Sequence, residues 1–256
     1  MNFKNVALLA AKKAGAIVKT NYGKKLQVTV KGEAGKDFVT NADIGSEKAI
    51  ITTIKKAFPD HAILAEESGA HTGTSEYTWV IDPLDGTTNF SRNIPFFSVS
   101  IALAKKEEII LGLVYNPILN ELFFAEKGSQ ALLNNKPIFV SERKTLAKSI
   151  LSQSFDYSNQ KRKDNFRNIQ KIFFKIEGFR LYHSTELELC NVACGRTEGY
   201  MVSSSNPWDI AAGAFIIERA GGKVTNFDGT KWSYKVPRIV ATNKRIHKEL
   251  LQVLDK

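Results

Sequence analysis

The sequence predicts a layered α/β protein, and three observations carry that prediction. Helical periodicity and short strand-like runs alternate along all 256 residues. Three strand-like segments between residues 98 and 125 follow one another as a meander, and no repeat, low-complexity tract or flexible linker interrupts the chain. The expected organisation is one domain over residues 1–256, with an N-terminal α+β half at 1–148 and a C-terminal α/β half at 149–256.

Residues 2–22 form the first expected helix. Val6, Leu9, Ala10, Ala14, Ile17 and Val18 recur near helical spacing, and Gly23 suits its end. Residues 24–30 alternate as a strand and lead into the polar segment "KGEAGKD". A second helix starts near Asp43, continues through Ile50 and Ile54, and stops before Pro59. The apolar runs at 62–65 and 79–81 each deliver acidic residues at their C-terminal ends. Strands follow at 98–104, 109–115 and 121–125, divided by charged or Asn-Pro turns into an antiparallel meander. Beyond residue 149, strands at 150–154 and 199–202 alternate with helices at 164–174, 185–194 and 211–220. Gly221-Gly222 closes the last of these helices, and residues 239–241 supply a late strand.

Bulk chemistry narrows the function classes. Hydrophobic residues at 43% and charged residues at 24% are ordinary for a globular protein with a substantial core. The early apolar run from Val6 to Ala11 is too short to span a bilayer, and it lacks the order of a secretory signal, so a cytoplasmic protein without membrane contact is expected. Cys190 and Cys194 lie four apart with no second Cys/His pair nearby, which favours free thiols over a zinc site. The net charge of +10 admits phosphates, acidic surfaces or nucleic acid as partners, and Lys161-Arg162-Lys163 is its densest patch. No aromatic-rich RNA-binding signature accompanies that patch, and a solvated lysine-rich surface explains it as well.

Three stretches place carboxylates at element ends: "AEES" at 65–68, "DPLDGTT" at 82–88 and "NPWD" at 206–209. Taken singly, Glu66 reads as a surface residue, Asp82 as a turn former before Pro83, and Asp209 as a helix N-cap. Together they offer oxygen ligands with almost no nitrogen or sulfur, the set that hard cations such as Mg²⁺ or Mn²⁺ take. Pro83 biases Asp82 toward extended backbone, after which a turn swings Asp85 back toward it with the Leu84 carbonyl between them. Gly86 permits close approach to a ligand, and a helical turn opening at Thr87 would aim free N–H groups at a phosphate. An EF-hand is excluded, since Asp85 falls at the fourth position and Asn93 at the twelfth. "GEAGKD" is two residues short of a P-loop and ends in Asp37, and no G-x-S-x-G elbow is present.

These residues resemble the inositol monophosphatase family of metal-dependent, lithium-sensitive phosphatases. "WVIDPLDGTTNF" is similar to the family's first signature and "WDIAAGAFIIERAGG" to its second, while "DFVTNAD" and "AEES" match its N-terminal blocks in order. Thr88-Asn89-Phe90 resembles inositol- or sugar-phosphate members more than the 3′-nucleotide branch, which carries Lys-Glu before the Phe. The resemblance implies an αβαβα sandwich and a homodimer. It implies one Mg²⁺ on Glu66, Asp82 and the Leu84 carbonyl, a second on Asp82, Asp85 and Asp209, and a weaker third near Glu66, with Mn²⁺ as an alternative ion. Thr87, backed by Asp43, would orient the attacking water, and the Gly86 and Thr87 N–H groups would hold phosphate beside Asp85, Ser184 and Thr185. Lys31 or Lys36 would belong to a mobile loop beside the ions.

Two positions depart from the family pattern. Val202 stands where inositol-hydrolysing members carry a Glu for the ring hydroxyls, and His183-Ser184-Thr185 is followed by an unusual Glu186. Ser203, Ser204 and Ser205 offer replacement hydroxyls. The expected activity is Mg²⁺-dependent hydrolysis of a small polyol or sugar phosphate, most closely an inositol-1-phosphate-like ester. Fructose 1,6-bisphosphate or a 3′-phosphonucleotide is the alternative substrate, and an RNA- or transcription-complex binding module is the alternative of another class.

Overall fold

Period-two alternation on the strands decides the layering, because each sheet has two apolar faces and both must be covered. The computed structural model describes residues 2–31, 37–154, 159–236 and 238–255, with the side chains at 31, 37, 159 and 161 outside that description. Helices α1 (Phe3–Asn21) and α2 (Asn41–Ala57) flank an antiparallel pair, β1 (Val28–Lys31) and β2 (Asp37–Thr40). The next strands are β3 (Ala62–Ala65), β4 (Gly69–His71), β5 (Tyr77–Asp85), β6 (Ser98–Lys105), β7 (Glu108–Asn116), β8 (Glu121–Glu126), β9 (Leu132–Leu133) and β10 (Lys136–Pro137). They form one sheet in the order β10-β9-β8-β7-β6-β5-β3-β4, with the short helix α3 (Thr87–Ser91) between β5 and β6. A second sheet takes β11 (Ile150–Gln153), β12 (Gly178–Arg180), β13 (Gly199–Val202), β14 (Lys223–Thr225) and β15 (Ile239–Thr242) in the order β12-β11-β13-β15-β14. Four helices complete the chain: α4 (Asn159–Ile172), α5 (Thr185–Ala193), α6 (Pro207–Arg219) and α7 (His247–Leu254).

Three apolar clusters fill the spaces between these layers. Trp79, Ile81, Ile101 and Leu103 face α1 and α2, meeting Val6, Ala10, Ile50 and Ile54. Their alternates Val80, Ala102 and Ala104 face the other way, onto Leu189 of α5 and Ile210, Ala214 and Ile217 of α6. Tyr200, Val202, Ile239 and Ala241 of the second sheet join that same middle cluster. Leu151, Met201 and Val240 point outward onto Ile172, Leu250 and Leu254 of α4 and α7. The order helix, sheet, helix, sheet, helix is the αβαβα sandwich. Burial of one large apolar side chain stabilises by roughly 1.5–3 kcal/mol, so the middle layer, packed on both sides, holds the sheets together.

Several elements differ from expectation for definite reasons. Strands β4, β9, β10, β12 and β14 are two or three residues long, too short to show alternation in the sequence. Helix α6 begins at Pro207 rather than 211, because Asn206 caps it and Pro207 takes its first turn. Helix α4 begins at Asn159 rather than 164, its first turn being a polar and basic run without apolar spacing. Among the described residues, no helix is long and apolar enough to cross a membrane.

Candidate active site

Strand β5 does not end before its acidic residues; it carries both. Asp82 lies opposite Ser100 and Asp85 opposite Ser98, so three steps along β5 match two along β6. That is a β-bulge rather than the turn expected from "DPLDG", with Pro83 inside it where a ladder N–H is dispensable. The bulge puts the 2%-exposed Asp82 and the 7%-exposed Asp85 at one end of the sheet. Asp82 Oδ1 accepts from the Leu84 N–H at 2.9 Å, and the Ser46 hydroxyl donates to the Pro83 carbonyl at 2.7 Å. Gly86 then turns at φ +90°, and a Cβ there would lie 3.1 Å from both the Phe96 carbonyl oxygen and Ser184 Cβ. Only glycine accepts both the left-handed backbone and that approach.

Helix α2 braces this corner. Thr40 caps it in a capping box with Asp43, whose Oδ2 accepts from the Thr40 N–H at 2.8 Å and from the Thr40 hydroxyl. The Thr87 hydroxyl stands 3.1 Å from Asp43 Oδ1 and 3.0 Å from the Leu84 carbonyl oxygen. Glu47, four residues along the same buried face, accepts from the Glu67 N–H at 2.8 Å and so fixes the turn that carries Glu66. Asp209 is not the N-cap of α6. It is the third residue of that helix, in a capping box with Asn206, and its Oδ2 accepts from the Asn206 N–H at 2.7 Å and the Ser205 hydroxyl at 2.8 Å.

All four expected acidic ligands reach one cavity of about 300 Å³, which Glu66, Asp82, Asp85 and Asp209 line together with Leu84, Gly86 and Thr87. A second wall, joined to the first where the Thr185 N–H meets Asp85 and the Ser205 hydroxyl meets Asp209, is Ser154, His183, Thr185, Val202, Ser204, Ser205 and Asn206. Two serines lie elsewhere. The buried Ser184 hydroxyl donates to Asp85 Oδ2 at 2.6 Å instead of facing the open space, and Ser203 donates both its N–H and its hydroxyl to Asn165 Oδ1. Lys31 belongs to β1, but its side chain, like the whole of Lys36, lies outside the described residues.

Sequence reasoning missed the groups that hold the second wall. Asn89 reaches from α3 to the Phe96 carbonyl at 2.8 Å and the Tyr182 carbonyl at 2.5 Å, tying the 182–185 loop to the acidic corner. Buried Glu188 accepts from the Ser154 hydroxyl at 2.6 Å. Glu47 alone left a usable signal, since Asp43 and Glu47 share the spacing of the buried stripe on α2.

Carboxylates crowd this corner, and burial and mutual repulsion shape their protonation. Burial pushes the Asp82 carboxyl well above its usual range, and the charges of Glu66, Asp85 and Asp209 add to that. Burial raises Asp85 to about 6; hydrogen bonds from Ser184, Glu186 and Thr185 pull it down, while the Asp209 charge pushes it up. Burial likewise raises Asp43, against the hydrogen bonds from Thr40 and Thr87. A divalent cation would relieve this repulsion, and an all-oxygen donor set suits Mg²⁺ or Mn²⁺. Among the described residues, no three His, Cys, Asp or Glu side chains already form a closed ligand cluster, so the carboxylates line the walls of the cavity. Cys190 and Cys194 are free thiols, and burial raises both.

The model of the Inositol monophosphatase family matches residues 2–256. A protein named Nus factor SuhB from Pasteurella multocida is 42% identical over 251 residues, covering 96% of this chain and 93% of that protein. An inositol-1-monophosphatase from Synechocystis is 43% identical over 251 residues, covering 97% of this chain and 87% of the relative. The crystal structure of the extragenic suppressor protein suhB from Bartonella henselae superposes with a TM-score of 0.94 at 37% identity, covering 99% of this chain and 98% of that one.

Proposed function

Since the chain belongs to the inositol monophosphatase family and is a phosphoric monoester hydrolase, we propose that it hydrolyses a small polyol or sugar phosphate with Mg²⁺. The observation that carries this reading is the pair of buried aspartates, Asp82 and Asp85, at the floor of a cavity whose other carboxylates raise their pKa further. Glu66, Asp82 and the Leu84 carbonyl would hold one ion, Asp82, Asp85 and Asp209 a second, and the Glu66 side a weaker third. Bound divalent cations neutralise phosphoryl oxygens and lower the pKa of water.

The chain's own residues do the rest. Thr87, its hydroxyl 3.1 Å from Asp43, orients a water for attack on phosphorus. The bond from phosphorus to the alcohol oxygen breaks, the leaving oxygen takes up a proton, and the products are free alcohol and inorganic phosphate. The Gly86 and Thr87 N–H groups hold the phosphate during this exchange.

A cavity of about 300 Å³ lies at the low end of the roughly 300–1,000 Å³ typical of ligand sites, which favours a small ester. An inositol-1-phosphate-like ester is the first candidate. Val202, apolar and lining that cavity, leaves fructose 1,6-bisphosphate or a 3′-phosphonucleotide as competitors. Phosphate release from a panel of esters, compared by kcat/KM with and without Mg²⁺, tests both points. Activity that survives EDTA and Asp85→Asn overturns the reading.

A second role has two observations in its favour, and the first is a relative named Nus factor SuhB, which points to the transcription machinery. Helix α4 and the turn after it carry six Lys/Arg against one Asp between residues 159 and 175, with Phe173 and Phe174 exposed. Salt-sensitive RNA binding that persists in Asp85→Asn supports this role, and no binding at low salt removes it. We also propose a cytoplasmic homodimer, checked by light scattering on the eluting protein.

A further inference from the structure

A buried residue outside the proposed ligand set joins the elements around its three aspartates: its carboxylate is bonded to α6, which carries Asp209, and to β6, the partner of β5, while its backbone N–H reaches Asp85. Glu186 occupies the second position of α5 and is 0% exposed. Its Oε1 accepts from the Ser100 hydroxyl at 3.0 Å and from the Ala212 N–H at 3.2 Å, and its Oε2 accepts from the Gly213 N–H at 2.5 Å. Its own N–H donates to Asp85 Oδ2 at 2.9 Å.

Each of these partners is one step from a proposed ligand. Ser100 is the residue directly opposite Asp82 in the β5–β6 ladder. Ala212 and Gly213 stand three and four residues beyond Asp209, one helical turn further along α6. Asp85 is itself the group that receives the α5 N–H bonds, from Thr185 at 3.0 Å as well as from Glu186. A displacement of Glu186 therefore shifts α6 against β6 and α5 against Asp85 at once.

Packing alone does not account for a carboxylate here. An apolar side chain of similar size would fill the same space without the desolvation penalty of a buried charge, and without needing three donors aimed at it. The surroundings are also shaped to admit it. A Cβ at Gly213 would lie 2.5 Å from Glu186 Oε2 and 2.6 Å from Leu189 Cβ, so the contact between α5 and α6 exists only with glycine at that position.

We propose that Glu186 is a positioning residue that sets the geometry in which Asp82, Asp85 and Asp209 receive divalent cations. The proposal rests on the reading of the cavity as a cation site. It acts through hydrogen bonds, so a glutamine, which keeps most of them, should restore what alanine loses.

The test titrates the whole protein with Mn²⁺ and reads the free ion by its electron paramagnetic resonance signal, which needs no turnover. Loss of a partner bonded behind metal ligands typically weakens metal binding about 10–100-fold. Glu186→Ala should weaken Mn²⁺ binding by that amount, and Glu186→Gln by no more than several-fold. Leu189→Ala, a buried apolar truncation on the same helix, should lower Tm while leaving Mn²⁺ affinity within about twofold. Should Glu186→Ala fail to fold, Ser100→Ala removes one donor only and should still weaken binding several-fold. Unchanged affinity in a folded Glu186→Ala or Ser100→Ala protein overturns the proposal, and so does an equal loss in Leu189→Ala. A wild-type protein that binds no Mn²⁺ overturns the phosphatase reading beneath it, a separate and distinguishable result.

Discussion

The carboxylate corner takes Asp82, Leu84, Asp85, Gly86 and Thr87 from six consecutive residues, whereas the second wall gathers Ser154, His183, Thr185, Val202 and Ser205 from separated parts of the chain. Within residues 82–87 the first wall is written in local covalent geometry: a proline, a left-handed glycine and a helical turn. Its bulge needs the register of β6, and its Glu66 and Asp209 arrive from elsewhere in the chain. The second depends on where β11, α5, β13 and α6 come to rest. Chemistry shared across a family can be kept in a short motif of the first kind, while substrate choice can vary in the second without disturbing it. Substitutions on the two walls should therefore fail differently.

The largest effect belongs to the acidic corner. Asp85→Asn removes a proposed ligand and also the carboxylate that receives the N–H groups of Thr185 and Glu186. Phosphate release at saturating Mg²⁺ should fall on the order of 10³-fold. A variant that keeps more than a tenth of wild-type kcat would show that the corner is not the reaction centre.

Thr87→Val comes next. It keeps the shape of the side chain and removes the hydroxyl that stands between Asp43 and the Leu84 carbonyl. A positioned proton-handling group contributes about 10²–10⁴-fold, so kcat should fall by about 10² with KM nearly unchanged, and Thr87→Ser should restore most of it. A loss confined to KM would move Thr87 from water orientation to substrate binding.

The contrast between the walls also explains what could be read in advance. "DPLDG", "AEES" and "NPWD" pointed to one shared cavity because several carboxylates in apolar surroundings have few structural uses. The bulge between Asp82 and Asp85 was not legible, since it depends on the register of β6, and neither was the third-residue position of Asp209, since Pro207 moves the start of α6 back. Ser184 shows the limit of motif transfer: it sits beside the substrate stretch in sequence yet donates to Asp85 in space. Asn89 and Glu188 act on residues 93 and 34 positions away, and no local spacing announces such partners.

Gly213 offers a sharper comparison, because it supports both walls through Glu186. Gly213→Ala would set a methyl group 2.5 Å from Glu186 Oε2 and 2.6 Å from Leu189 Cβ. Overpacking of this kind costs about 1–3 kcal/mol, and about 2–4 °C of Tm for each kcal/mol in a chain of this size. Thermal unfolding followed by circular dichroism measures it. An unchanged Tm would mean that α5 and α6 separate freely, and that the second wall is looser than its hydrogen bonds imply.

The smallest expected effect lies outside the cavity lining and isolates stability from catalysis. His247 is 2% exposed between two threonines: its Nε2 is 2.9 Å from Thr225 Oγ1, and its Nδ1 is 2.9 Å from Thr242 Oγ1. The Thr225 hydroxyl donates to the Asn226 carbonyl at 2.7 Å, which leaves its oxygen to accept from Nε2–H. Nδ1 then accepts from the Thr242 hydroxyl, so the ring fits its site as the neutral tautomer. Burial, with the charge of Lys223, lowers its pKa to about 4. The unfolded chain takes up a proton near pH 6.5 while the folded one does not, so this contribution is complete above pH 6.5 and is lost as pH falls from there toward 4. Glu188 slopes the other way: burial raises it to about 8, and its contribution, present below about 4.5, is lost as pH rises toward 8. A pH series on the wild type alone would mix the two. The difference between wild type and His247→Asn removes the Glu188 slope, and from pH 7 to pH 6 the wild type should lose up to about 1 kcal/mol more than the variant. Equal losses in urea unfolding would place the proton uptake elsewhere.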